Sequence, residues 1–203
     1  PAQIASHPAV RSIQPAHTAV VNVFGETVYA KPLSVPVQAE NISTLLSANP
    51  GDAVIYPPAE GDIELLIDFG RELVGFFEME LSAPEGTAID LNAFEYMEDG
   101  RIQWTYGLHN TFRYITRKGW QSWRSVVRRG FRYATLTIRF PQGASEPVRL
   151  RRLHCILNTY PYAYQAHFQS SDALLNQTWE ISRHTVRLCS EDTFVDCPAY
   201  EQT

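Results

Sequence analysis

Between Asp62 and about Tyr160 the side chains alternate with a period of two. Phe77, Met79 and Leu81 fall on one side, and Phe76, Glu78 and Glu80 on the other. Ala134, Leu136, Ile138 and Phe140 alternate in the same way with Tyr133, Thr135, Thr137 and Arg139. Successive strand residues point to opposite faces, so this pattern requires strands with one buried face. Turn formers separate the runs at Ala83-Pro84-Glu85-Gly86, Glu98-Asp99-Gly100, Arg117-Lys118-Gly119 and Pro141-Gln142-Gly143. The spacing predicts seven or more strands over residues 62–168, arranged as an antiparallel sandwich or jelly roll. No helical period intervenes, which argues against a parallel α/β sheet.

The flanks follow different rules. Residues 1–60 carry prolines at positions 1, 8, 15, 32, 36, 50, 57 and 58, which restrict the chain to short extended pieces and turns. This stretch reads as an approach segment to the sheet or the tail of a preceding domain, with one strand expected over Thr18–Tyr29 burying Val21, Val23 and Val28. After Phe168 the period lengthens. Ser170, Ser171 and Asp172 are N-cap candidates, and Leu174, Leu175, Trp179, Ser182, Val186 and Cys189 then recur at three-to-four spacing. A helix is predicted over about 172–190. Its second stripe, Leu174, Thr178, Ile181, Thr185 and Leu188, is also moderately apolar, so neighbours are expected on two sides. The expected organisation is an approach segment (1–60), a β-sandwich (61–168) and a helix with its following loop (169–203).

A net charge of -5 and a pI near 5.7 argue against a nucleic-acid footprint. Arg128-Arg129 and Arg149-Arg151-Arg152 sit among alternating apolar residues and read as solvated strand faces. No apolar run approaches the length of a membrane span and no signal peptide is visible, so no membrane partner is expected. The chain starts at Pro1, which leaves a soluble cytoplasmic or a secreted location equally open. Cys155, Cys189 and Cys197 have no zinc or redox spacing, and His109, His154, His167 and His184 no metal-ligand spacing. Neither metal nor cofactor is expected. Trp104, Tyr106, Phe112, Tyr114, Trp120 and Trp123 alternate and read mostly as core; Trp104-Thr105-Tyr106-Gly107 is the best exposed sugar-stacking candidate.

Two groups of motifs carry a family resemblance. The first is Asp68-Phe69-Gly70-Arg71-Glu72-Leu73-Val74-Gly75, Ala83-Pro84-Glu85-Gly86-Thr87 and Gly130-Phe131-Arg132-Tyr133. The second is Phe168, Ser171-Asp172, Leu174-Leu175-Asn176, Trp179-Glu180 and Asp192-Thr193-Phe194-Val195-Asp196-Cys197-Pro198. In this order they resemble the bacterial α-L-rhamnosidases, inverting glycoside hydrolases of family 78. The resemblance implies a mainly β chain: a jelly-roll or concanavalin-like accessory sandwich, then one long helix that begins a truncated (α/α)6 barrel. Family members carry Asp-Cys-Pro-x-Arg-Glu, so the resemblance makes Glu201 the general acid and Asp196 a sugar-binding carboxylate. Here Tyr200 stands where the family often has Arg, and the general base would lie beyond Thr203.

An inverting glycosidase sets a protonated carboxyl on the leaving oxygen, and a second carboxylate roughly 6.5–9.5 Å away activates water. If Asp196 and Glu201 shared a pocket, their repulsion would raise the pKa of one and suit it to the acid role. Against this, Glu201 reads residue by residue as a solvated carboxylate, Asp196 as a turn cap before Pro198, and Cys197 as a small packed side chain. The expected activity is removal of terminal α-L-rhamnose from glycosides or polysaccharides. This segment would be inactive until joined by the remainder of its catalytic domain. The alternative is a non-catalytic carbohydrate-binding or structural sandwich. The two separate on whether Glu201 lies in a pocket with other acids.

Overall fold

The computed structural model describes residues 4–5, 9–13, 19–21, 27–29, 37–46, 51–98, 101–102, 110–163 and 165–197. Five short strands come first: β1 (Ile4–Ala5), β2 (Ala9–Ile13), β3 (Ala19–Val21), β4 (Thr27–Tyr29) and β5 (Ala39–Glu40). A 3-10 turn, Ile42–Leu46, leads to β6 (Ala53–Ile55). Then follow β7 (Ile63–Ala83), β8 (Ala88–Phe94), β9 (Met97–Glu98), β10 (Arg101–Ile102), β11 (Thr111–Ile115), β12 (Gly119–Arg124), β13 (Arg129–Arg139) and β14 (Val148–Leu157). One helix, α1 (Ala173–Leu188), completes the described elements. The chain is thus mainly antiparallel β, in the order β11-β8-β13-β7-β14-β6-β5, with β1 on β14 and both β2 and β12 on β7.

β7 is the spine of the sandwich. Its first half pairs with β13 and β2, and its second half with β14 and β12. The handover occurs around a bulge. Leu73 pairs with Phe131 and Asp68 with Tyr133, so Phe69–Glu72 stand opposite the single residue Arg132. Gly70 takes the left-handed conformation (φ 81°) that the bulge requires, and its N–H donates to Asp68 Oδ1 at 2.7 Å. Arg132 answers both oxygens of the buried Asp68 carboxylate, at 3.1 and 3.3 Å. The Asp-Phe-Gly-Arg run is therefore the recipe for a bulge. Just beyond it, Gly75 lies so close to β14 that a Cβ there would meet the Ile156 carbonyl oxygen at 2.0 Å.

The core follows the predicted alternation. Phe77, Met79, Leu81, Ala134, Leu136 and Ile138 are buried, and Phe77 stacks on Phe131 at a centroid distance of 4.2 Å. Each large apolar side chain so buried contributes about 1.5–3 kcal/mol. Tyr133 and Thr135 are buried as well, because β13 is central, between β7 and β8. Phe112, Tyr114 and Trp123 pack against the core as expected, whereas Trp120 is exposed with the Arg151 guanidinium 3.8 Å above its ring. Trp104 and Tyr106 lie outside the described residues. Where the sequence suggests one strand over Thr18–Tyr29, the described residues form a two-strand ladder, β3 against β4.

Asp172 caps α1 as expected, its Oδ1 accepting from the N–H groups of Leu174 (2.8 Å) and Leu175 (3.4 Å). Asn176 reaches back to Ser170, accepting from its N–H and donating to its carbonyl. The helix faces differ from the periodicity-based expectation. Leu174, Leu175, Ile181 and Val186 are exposed, and only Leu188 is buried. The side turned to the sheet carries His184 and Arg187, because the surface it meets offers polar acceptors, the Glu72 carbonyl and the Thr159 hydroxyl.

Candidate active site

α1 delivers the chain to the loop that holds Asp196, so the anchorage of the helix decides where that loop sits. Three contacts fix it. His184 Nε2 lies 2.7 Å from the Glu72 carbonyl in the β7 bulge. Arg187 Nε is 3.4 Å from the Thr159 hydroxyl, just past β14. Arg128, in the turn before β13, donates from Nη2 to the Leu188 carbonyl at 3.1 Å.

Arg128 contradicts its sequence reading as part of a solvated face. Its side chain is only 8% exposed. Besides Leu188 it reaches the Asn158 carbonyl at 3.4 Å from Nε, and Nη1 lies 2.7 Å from Glu191 Oε1, an ion pair not aligned as a hydrogen bond. Burial pulls its pKa down, with Glu191 and Cys189 partly offsetting this. Local alternation cannot show a residue that turns inward against a helix sixty positions away. Arg149, Arg151 and Arg152 do lie on an exposed face, paired there with Asp52, Glu78 and Glu80.

The loop after α1 is a tight return. Ser190 and Phe194 form an antiparallel bridge, the Val195 N–H donates to the Cys189 carbonyl at 2.9 Å, and the Glu191 N–H to the Thr193 carbonyl at 2.8 Å. The Tyr160 N–H donates to the Ser190 carbonyl at 2.8 Å, which ties the loop to the segment leaving β14. Cys189 Sγ donates to the Asp196 carbonyl at 3.5 Å. The Asp196 side chain itself is exposed, projecting from a backbone held at its root. Glu201 and Tyr200 lie outside the described residues, as does Pro198. Cys155, Cys189 and Cys197 are unbridged, and Cys155 is buried, its thiol pushed up to about 12 by desolvation and by Glu72.

Two clefts flank this anchorage. One, of about 500 Å³, lies between the bulge and α1 and is lined by Arg71, Glu72, His184, Thr185 and Leu188 among others. The other, of about 450 Å³, is lined by Asn158, Thr159, Tyr160, Pro161, Glu191 and Asp192 beside the loop. Glu72 is the most perturbed acid described: burial, with Glu95 adding and Arg132 opposing, pushes its carboxyl up to about 9. Its Oε1 is buried without a hydrogen-bond partner among the described residues. His184 is held below its usual range, chiefly by burial, against the pull of the Glu72 carbonyl. Sequence reasoning missed Arg128, Glu191 and Glu72. Glu72 alone had a signal, since it follows directly on the Asp-Phe-Gly-Arg bulge.

Residues 59–154 match the bacterial alpha-L-rhamnosidase concanavalin-like domain, and residues 164–203 match the bacterial alpha-L-rhamnosidase 6 hairpin glycosidase domain. The GH78 family rhamnosidase of Bacillus sp. GL1 is 52% identical in sequence over 85% of the chain and superposes with a TM-score of 0.75. The chain belongs to the bacterial α-L-rhamnosidase family. This rhamnosidase-family chain spans 17% of the length of the Bacillus chain. The rhamnosidase from Klebsiella oxytoca with rhamnose bound covers 100% of it at 15% identity and a TM-score of 0.62, the match taking in 38% of the Klebsiella chain. The Streptomyces avermitilis α-L-rhamnosidase complexed with L-rhamnose covers 67% of it at 21% identity and a TM-score of 0.50, over 13% of its own chain. At those two identities the likeness shows the fold. No curated protein sequence matches the chain. The six-hairpin match of this rhamnosidase-family chain takes in α1, the Ser190–Cys197 loop and Glu201. Among the described residues no helix is long and apolar enough to cross a membrane.

Proposed function

We propose that this chain is part of an inverting α-L-rhamnosidase that removes terminal rhamnose from glycosides or polysaccharides, with Glu201 as general acid and Asp196 holding the sugar. The observation that carries the reading is the 52% identity to the Bacillus rhamnosidase over a segment that includes the sandwich fold. The anchored loop after α1 supports it, since a sugar-binding carboxylate needs a backbone fixed before substrate arrives. The Klebsiella and Streptomyces proteins hold rhamnose, which supports a rhamnoside as ligand. In this reading the general base comes from outside these 203 residues, the exposed apolar side of α1 packs against the remaining helices, and the segment alone is inactive.

The test is hydrolysis of aryl α-L-rhamnosides by the intact enzyme carrying this segment, beside its Glu201→Gln variant. Loss of the acid is expected to lower kcat about 10²–10⁴-fold for a poor leaving group, and far less for one that departs without protonation. The first sugar released should be the β-anomer. Equal rates in the two proteins would move the acid elsewhere, and an α-anomer would replace inversion by retention. No hydrolysis by either would leave a carbohydrate-binding or structural sandwich standing.

A further inference from the structure

Arg128 belongs to the sandwich, yet every group its guanidinium touches lies at the junction with α1. Nη2 donates to the carbonyl of Leu188, the last residue of the helix; Nε reaches Asn158 at the exit of β14; Nη1 pairs with Glu191 at the root of the Asp196 loop. The Leu188 carbonyl is one of the four that a helix end leaves without an intrahelical partner, and the negative end of the helix dipole favours a cation there. A guanidinium 8% exposed is nonetheless expensive, and an apolar side chain would fill the site more cheaply. What an apolar replacement cannot do is hold three segments in one geometry.

The linkage from this anchor to the candidate site is short. Glu191 is clamped by its ion pair and by its N–H bond to Thr193; Ser190 bridges Phe194; Val195 donates to Cys189, and Cys189 donates to the Asp196 carbonyl. Cys189, Ser190, Glu191, Thr193, Phe194 and Val195 are thus linked to one another and to the helix end that Arg128 holds. We propose that Arg128 is a positioning residue: from the sandwich it fixes the helix end and Glu191, and through them the direction in which the Asp196 loop projects. The catalytic consequence rests on the function proposed above, whereas the loop geometry does not.

The experiment compares Arg128→Met, Arg128→Lys and Glu191→Gln with the unsubstituted intact enzyme, with Arg151→Met as an exposed-arginine control. Amide hydrogen exchange reads the loop. Exchange at Glu191 and Val195 is expected to quicken on the order of tenfold in Arg128→Met, with less change in Glu191→Gln, while Leu65 and Leu136 in the sandwich core stay protected. The inhibition constant of free L-rhamnose should rise about tenfold in Arg128→Met, because a misdirected Asp196 carboxylate holds the sugar less well. Arg128→Lys should recover part of both, keeping the charge while losing the fork. A purely structural arginine would lower activity through the folded fraction and leave that inhibition constant unchanged.

Unchanged exchange at Glu191 and Val195 in Arg128→Met overturns the proposal. Faster exchange with an unchanged inhibition constant does so too, provided Asp196→Asn raises it. If Asp196→Asn does not raise it, the sugar-binding assignment of Asp196 is what fails, and exchange at the two amides alone decides for or against Arg128. Should Arg128→Met not fold, Glu191→Gln, altering a partly exposed partner, carries the same decision.

Discussion

The imidazole of His184 in α1 meets the main-chain carbonyl of Glu72 in the β7 bulge at 2.7 Å, so Nε2 carries the proton in that contact. The same residue, Glu72, turns a carboxyl into the junction with one oxygen buried and unpartnered among the described residues. The helix therefore docks beside an acid that the fold keeps protonated.

That acid makes the junction sensitive to alkali. Burial raises the Glu72 pKa to about 9, with Glu95 adding and Arg132 opposing; Cys155 lies close by, and Arg71, Glu180, Arg183, His184, Arg187 and Cys189 line the same cleft. Because the folded pKa exceeds the unfolded value, the native state holds more protons between the two, and the contribution is full at acid pH and lost as pH rises toward 9. His184 acts in the opposite sense, its lowered pKa costing stability only as pH falls through its range. Between pH 7 and 8 the Glu72 effect stands clear of His184, and of Cys155, whose thiol begins to lose its proton in the unfolded chain only near its ordinary value of 9. Denaturant unfolding of the chain should show stability falling by up to about 1.4 kcal/mol per pH unit in that window. Glu72→Gln should flatten the slope and stabilise the fold at pH 8 by roughly 1–3 kcal/mol. A slope unaltered by the substitution would place the titrating group elsewhere.

Gly75 and Gly70 make a second pair of contrasted substitutions. Gly75→Ala drives a Cβ into the Ile156 main chain, which cannot give way without parting β7 from β14. A loss of about 3 kcal/mol or more is expected. Gly70→Ala has open space and meets only the strain of a φ of 81°, costing about 1–2 kcal/mol. Thermal or urea unfolding gives the ranking, and the reverse order would mean that the bulge, not the close approach, is the more demanding feature.

Much of this was legible in the sequence. Phe77-Met79-Leu81 declare their buried face by alternation alone, and Asp172 declares a helix start, because both signals are local. The bulge was spelled out in Asp68-Phe69-Gly70 but not understood, since its partner Arg132 lies 64 positions on. Local alternation cannot place Arg128 for the same reason: its three partners come from the β14 exit, the helix end and the loop beyond. The helix faces were read from periodicity, which finds apolar stripes but not which stripe the chain at hand covers. Of the two candidate site residues, Asp196 lies exposed on the loop after α1, and Glu201 lies outside the described residues.

Asp196 offers a binding test separate from the acid. In the proposed function its exposed carboxylate accepts hydrogen bonds from sugar hydroxyls, each charge-assisted bond contributing about 1.5–3 kcal/mol. Asp196→Asn in the intact enzyme should therefore weaken rhamnose binding about 10–100-fold, measured by inhibition with free L-rhamnose, with no dependence on the leaving group. An unchanged inhibition constant would return Asp196 to the role of a turn residue before Pro198.

The exposed side of α1 gives the last expectation. Leu174 and Ile181 stand on one face with Thr178 and Thr185, whose hydroxyls donate back to the Leu174 and Ile181 carbonyls. Those bonds use up the polar atoms and leave the methyl groups to extend the apolar surface. Leu175, Val186 and Phe194 continue it around the helix and onto the loop. Uncovered apolar area of this kind drives association, because each large side chain withdrawn from water gains about 1.5–3 kcal/mol. Sedimentation of the 203-residue chain should show an average mass rising with concentration above 23.0 kDa. Leu174→Glu with Ile181→Glu should restore the monomer without altering unfolding of the sandwich, since neither side chain touches its core. A monodisperse monomer before any substitution would show that the apolar face of α1 is too small or too interrupted to pair, and would weaken the proposal that other helices cover it in the intact enzyme.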